Sequence, residues 1–213
     1  MVSALRARTN SSASAAESNR FGKEAAAAAT RLADRAAAEE LLDVAYASLD
    51  SPFGRLLVAR TPRGLVRLAF PEESEDAVLE RLSQRLSPRI LRDAGRFDAV
   101  ARELDEYFAG KRHSFDAELD WSLISPFGRR VLAATAAIPY GSVLSYAQVA
   151  GEAGSPRGSR AAGNALGSNP IPIVIPCHRV LRTGGALGGY GGGLPRKRWL
   201  LELEGALQPQ LSR

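Results

Sequence analysis

A short apolar run, Ile171 to Ile175, ends in Pro176-Cys177-His178-Arg179-Val180, and Cys177 is the only cysteine in the chain. Pro176 locks its own φ and biases Ile175 away from helical geometry. The run therefore reads as a strand with a stiff end, presenting the thiol on a rigid support with a histidine directly after it. A sole cysteine so placed, beside a possible base, is a candidate nucleophile. A lone cysteine is more often a small buried hydrophobe, so the pair by itself leaves both readings open. Adjacent strand residues also point to opposite faces. A thiol–imidazole relay then needs a bridging water, or a turn that begins at Cys177.

The chain has 213 residues, 45% of them hydrophobic, enough to bury one or two cores. It has no uninterrupted apolar run long enough to span a membrane. One cysteine rules out an internal disulfide framework and suits a reducing compartment. With His113 and His178 as the only histidines, a thiolate–histidine zinc site of four protein ligands cannot be built without carboxylates. No metal and no other cofactor is expected. Charge is uneven: Ser125 to Arg213 holds ten Lys and Arg against three Asp and Glu. A basic C-terminal part points to a polyanionic partner, with a merely soluble basic surface as the rival reading.

Texture changes along the chain. Residues 1–41 are rich in Ala, Ser, Glu and Arg and carry few large apolar side chains, so they read as a solvated, flexible tail. Glu24 to Leu42 has helical propensity within it. Residues 42–120 read as a small α+β domain. Val44–Leu49, Leu56–Val58 and Leu65–Phe70 are strand-like, with Pro62-Arg63-Gly64 as a turn. Ser74–Leu86, with Ser74 as N-cap, and Phe97–Phe108 have helical spacing. Nothing in this domain reads as catalytic.

Residues 121–213 form the second unit. Phe127–Ala137 is helical. Ser145 caps a second helix and Ser159 a third, Arg160 to Gly167, across a glycine-bearing turn. Two short helices around such a turn fit a helix-turn-helix. Gly184-Gly185 and Gly188 to Gly193 make a loop of high glycine density, which lets backbone approach a bound base closely. No Gly-Lys-Ser/Thr follows, which argues against a phosphate-cradling loop. Pro195 suits the first turn of a last helix, with Trp199 in the core.

Several segments resemble the O6-alkylguanine-DNA alkyltransferases, the single-turnover DNA repair proteins. They are Ile138-Pro139-Tyr140-Gly141, Ser145-Tyr146, Arg160-Ala161-Ala162-Gly163-Asn164-Ala165, Asn169-Pro170-Ile171-Pro172, Ile175 to Val180, Gly188-Gly189-Tyr190 and Lys197 to Gly205. The resemblance runs from about Ser125 to Gly205 and is looser before that. It implies an α+β chain: a ribonuclease H-like N-terminal domain and a C-terminal helical, winged-helix-like DNA-binding domain carrying the acceptor cysteine.

The resemblance also implies roles. Cys177 would accept the alkyl group from O6-alkylguanine, or from O4-alkylthymine. A free thiol has a pKa of about 8.5 and needs a base. His178 would take the proton through water, with Glu204 orienting the ring. Tyr146 would donate to the departing base, which must be flipped out of the duplex. Arg160 would fill the vacated stack in a minor-groove complex. Ser145, Arg129, Arg157 and Arg179 are candidate DNA contacts. Asn169, Val180, Tyr190, Gly191 and Gly192 are candidate pocket residues, with Gly192 leaving room beside a bulky alkyl group. The partner is double-stranded DNA bearing alkylated guanine, the protein a monomer, cytoplasmic and nucleoid-associated in a bacterium or nuclear in a eukaryote.

Leu132 and Gly128 depart from the tryptophan and glutamine common in relatives. Two readings from other classes stand beside the transferase. A damage-sensing DNA-binding protein would recognise the lesion without chemistry, and a cysteine hydrolase would turn over.

Overall fold

The computed structural model describes residues 43–208 and, before them, only Ala28 and Arg31. The expected tail over 1–41 and the helix over Glu24–Leu42 therefore fall outside the described residues.

The N-terminal domain is built on a sheet of order β3-β2-β1-β4. Strands β1 (Val44–Leu49), β2 (Leu56–Thr61) and β3 (Gly64–Ala69) form an antiparallel meander, and β4 (Ile90–Arg92) joins β1 in parallel. Alternation sorts the side chains onto two faces. Ala45, Ala47, Leu56 and Val58 belong to the larger core, whereas Val44, Leu57 and Ala59 pack with Val78 and Leu82 of helix α1 (Glu75–Arg85). A register shift opposite Ala59 and Arg60 puts Leu68 and Phe70 back on the larger core's side. Ser74 stands at the N-cap of α1, but its side chain makes no cap hydrogen bond. Helix α2 (Asp98–Phe108) turns Val100, Leu104 and Tyr107 inward, toward the second domain.

The C-terminal domain is helical. Helix α3 (Pro126–Ala136) is capped by the Ser125 side chain, which accepts from the Gly128 amide, and has proline in its first turn. Helix α4 (Tyr146–Glu152) starts with a capping box: Ser145 accepts from the Gln148 amide while Gln148 accepts from the Ser145 amide. Helix α5 (Ser159–Gly167) packs on α3 and α4. Its N-cap is Gly158, not Ser159, which is the first helical residue.

A two-residue parallel pairing fixes this unit to the cysteine segment. Strand β5 (Leu144–Ser145), just before Tyr146, pairs with β6 (Val180–Leu181), just after Arg179. Helix α6 (Leu194–Leu203) closes the domain. Trp199, expected in the core, is half-buried at the domain boundary, edge-on to Phe53 and Phe108 at 5.0 and 6.1 Å between ring centroids.

Candidate active site

The apolar run Ile171–Ile175 is not a strand. It folds into a tight turn, closed by the Ile175 amide donating to the Ile171 carbonyl at 2.9 Å. Ile173 takes φ of 74°, the only positive φ on a non-glycine among the described residues. A β-branched residue is strained there by about 1–3 kcal/mol, so the surroundings must impose it. Asn169 does so. Its Oδ1 accepts from the Ile171 amide at 3.0 Å, and its Nδ2 donates to the Ile175 carbonyl at 2.9 Å and to Cys177 Sγ at 3.1 Å. Cys177 then opens a 3-10 turn, Cys177–Arg179. The stiff support expected of a strand is thus supplied by a clamped turn, the geometry that lets Cys177 and His178 serve one site.

Behind the thiol lies a buried charge cluster. His178 and the Glu204 side chain are both fully buried, and Nε2 of the ring meets Glu204 Oε1 at 2.8 Å. Arg179 donates through Nε to Oε2 at 2.8 Å and through Nη2 to Oε1 at 3.0 Å. Tyr107 of α2 donates to Oε1 at 2.6 Å. Burial would raise the Glu204 carboxyl, but hydrogen bonds from His178, Arg179 and Tyr107 overcome it and hold its pKa at about 2. A carboxylate can only accept, so the proton on His178 sits at Nε2. The other ring nitrogen, Nδ1, is buried without a protein partner and is the ring's free acceptor. Burial lowers the His178 pKa despite Glu204, which favours the neutral ring. Burial also pushes the Cys177 thiol up to about 11, only partly offset by Asn169 and Lys197.

On its open side Cys177 borders a cavity of about 510 Å³ walled by Tyr146 and Arg160 of the two helices and by Tyr190 and Gly191. The Tyr146 hydroxyl donates to the Gly189 carbonyl at 3.3 Å. Gly188 lets the loop pass this ring, because a Cβ there would lie 2.9 Å from the hydroxyl oxygen. A second cavity of about 570 Å³ reaches Cys177 and Asn169 from the sheet side, past Arg67 and Glu73.

The other candidates divide. Arg129, Arg157 and Arg160 are exposed, with Arg129 over the Trp121 ring. Ser145 is half-buried and its hydroxyl is engaged in the helix cap. Arg179, expected as a phosphate contact, is 5% exposed and committed to Glu204, so that expectation is corrected. Val180 is fully buried in β6 and lies in the core rather than in the cavity wall. Gly192 is corrected too. A Cβ there would stand 2.5 Å from Phe70 and 2.7 Å from Tyr190, so the missing side chain makes room for packed rings, not for a ligand.

Two residues escaped the sequence reading. Lys197 is fully buried, donates to the Val180 carbonyl at 2.6 Å, and is brought by burial to a pKa of about 8. The resemblance ran through Lys197, but its basic neighbours Arg196 and Arg198 make it look like surface charge. Tyr107 lies in the domain that carried no catalytic signal, and only its inward helix position marked it at all.

A thiol beside a buried acid–histidine pair, opening on a cavity walled by a helix-turn-helix, defines a cysteine-based acceptor or nucleophile in a basic domain. Two family models match the chain: 6-O-methylguanine DNA methyltransferase, ribonuclease-like domain, over residues 44–121, and the DNA binding domain of the same family over residues 126–206. The methylated-DNA–protein-cysteine methyltransferase of Mycobacterium tuberculosis H37Rv is 42% identical over 164 residues, 77% of this chain and 94% of the relative. The crystal structure of the M. tuberculosis O6-methylguanine methyltransferase superposes with a TM-score of 0.66 at 40% identity, covering 78% of this chain and 96% of that one. The M. tuberculosis protein in complex with DNA gives the same score and identity over 76% and 93%. The chain belongs to the 6-O-methylguanine DNA methyltransferase family.

Proposed function

We propose that the protein repairs DNA by moving a methyl or larger alkyl group, once and irreversibly, from O6 of guanine to Cys177. The observation that carries this reading is the buried Glu204–His178 pair beside Cys177, with Nδ1 free, at the edge of a cavity walled by Tyr146 and Arg160. His178 takes the thiol proton across a water, and Glu204 balances the imidazolium. The thiolate attacks the alkyl carbon. The carbon–sulfur bond forms as the carbon–oxygen bond breaks, and the electron pair leaves on the guanine. Tyr146 donates to the departing base. The Cys177 thiol, held neutral by burial, is a poor nucleophile until the base acts. Asn169 then steadies the thiolate through its Nδ2 donor.

Arg160, exposed near the start of α5, stands where it can enter a vacated base stack from the minor groove, while Arg129 and Arg157 meet phosphates. No helix among the described residues is long and apolar enough to cross a membrane. A monomer acting on chromosomal DNA, in the cytoplasm beside the nucleoid if bacterial, fits this reading.

The test is intact-mass and peptide mass spectrometry after incubation with duplex DNA carrying O6-methylguanine, with an O4-methylthymine duplex in parallel. Cys177 should gain one methyl group, and the protein should then be spent. Many turnovers per molecule would mean a hydrolase. Tight lesion binding with an unmodified Cys177 would mean a sensor.

A further inference from the structure

The relay that serves Cys177 is not confined to the domain that carries it. Oε1 of Glu204 is gripped from three directions: by His178 and Arg179 of the cysteine turn, and by the Tyr107 hydroxyl of α2. Tyr107 is 97 positions from Glu204 and 71 from His178 in sequence, and its oxygen lies 3.5 Å from Nε2 of the ring. Among the described residues it is the one N-terminal side chain hydrogen-bonded to this cluster. The side chain is fully buried and its ring is held by Phe108, Phe115 and Tyr140.

We propose that Tyr107 is a positioning residue for the alkyl transfer: its hydroxyl fixes the Glu204 carboxylate over His178, so that the N-terminal domain completes the base that activates Cys177. This deepens the reading above and rests on it. Arg179 approaches the carboxylate along both oxygens and can hold it alone. A carboxylate gripped only by that fork is free to turn onto it and leave Nε2. Tyr107 pins Oε1 from the opposite domain and prevents this. Imidazolium formation, and with it thiolate formation, then depends on a contact made only when the two domains are packed together. Burial raises the Tyr107 phenol far above its ordinary range, so it stays a donor at any working pH.

Other titratable groups also face the site: Tyr140 and Tyr190 face Glu204, Arg179 and Lys197 face His178, and Lys197, Tyr146 and Tyr190 face Cys177. The test therefore changes one atom and leaves them all. Tyr107→Phe keeps the ring packing and deletes the hydroxyl. Because Cys177 is the only cysteine, the carbon resonance of its Cβ in protein labelled with 13C-cysteine follows its ionisation alone. The thiolate midpoint should rise by about one pH unit, and benzyl transfer from O6-benzylguanine, supplied as the free base, should slow about tenfold, the scale of one lost hydrogen bond to a buried charge. Affinity for undamaged duplex should be unchanged. In a Glu204→Gln background, adding Tyr107→Phe should move the midpoint no further.

A purely structural tyrosine would lower the melting temperature without moving the titration, and an unmoved midpoint overturns the assignment. A midpoint that falls overturns it as well, because Tyr107 would then be restraining the charge of Glu204 rather than placing it. Failure of the wild-type protein to alkylate Cys177 would sink the proposed function instead. The titration decides the role of Tyr107 in either case.

Discussion

Replacing Asn169 with alanine should damage stability and chemistry together, by amounts the geometry sets. Three hydrogen bonds are lost, at 2.9, 3.0 and 3.1 Å. The Ile175 carbonyl keeps a partner, because the Cys177 amide also donates to it at 2.8 Å. The Ile171 amide does not, and an orphaned buried donor costs about 1–3 kcal/mol. The turn also loses what holds Ile173 in its left-handed conformation, so part of the native backbone relaxes. A total of about 2–4 kcal/mol would lower Tm by about 5–15 °C for a protein of this size. The thiolate loses a donor as well, which slows transfer about 10- to 100-fold. Thermal unfolding and single-turnover benzyl transfer measure the two effects. Asn169→Asp tests the donor: Oδ1 still serves the Ile171 amide, but a carboxylate oxygen now faces the Ile175 carbonyl and the sulfur, so Tm should fall at least as far as in alanine. A second anion now faces the thiolate, so the rate should fall further than in alanine. A Tm within about 2 °C of wild type for the alanine variant, or an aspartate variant that reacts faster than it, would refute the clamp.

Arg160→Ala should slow repair in duplex DNA by at least about tenfold, about 1.4 kcal/mol of barrier, and affect transfer from the free base less; equal losses would remove Arg160 from the stack. Gly192→Ala should cost about 1–3 kcal/mol of stability as Phe70 and Tyr190 give way, and slow methyl and benzyl transfer alike. A selective loss of benzyl transfer would put Gly192 back in the pocket wall. Acid should act in two stages on Tm. His178 is held below its ordinary 6.5, so the unfolded chain binds that proton first and stability begins to fall from about pH 6.5 downward. Glu204 is held at about 2 against 4.5, so its contribution is complete above pH 4.5 and drains away as pH falls toward 2. Glu204→Gln should flatten the lower stage of the Tm–pH curve; a curve parallel to wild type would contradict this.

The meander was legible because alternation and the Pro62-Arg63-Gly64 turn are local signals, and Ser145 announced its helix for the same reason. Strand β4 was not, since three residues carry no period and its partner β1 lies far upstream. Ile171–Ile175 looked like a strand because apolar runs do; it became a turn because one side chain, Asn169, satisfied two backbone groups, the Ile171 amide and the Ile175 carbonyl, that a ladder would otherwise have paired. Cys177 and His178 stood out as a lone thiol beside a possible base, whereas Glu204 and the roles of all three came from the resemblance to a family. Arg179 was read as a DNA contact because its counter-ion lies 25 residues on, and Tyr107 was invisible because its partner lies 97 residues on. Long-range pairing of buried polar groups leaves no mark in local composition.

The acceptor thiol is only 7% exposed and hangs from a turn that carries backbone strain at Ile173. A catalyst that cycles must reopen to let its product go, and such tightness would throttle it. Here the alkyl group never leaves. Only the dealkylated base has to leave, and the sulfur need never be cleared for a second round, so the walls around it can be set as hard as alignment of sulfur and carbon demands. The limit on repair then falls on how many copies of the chain a cell keeps in reserve.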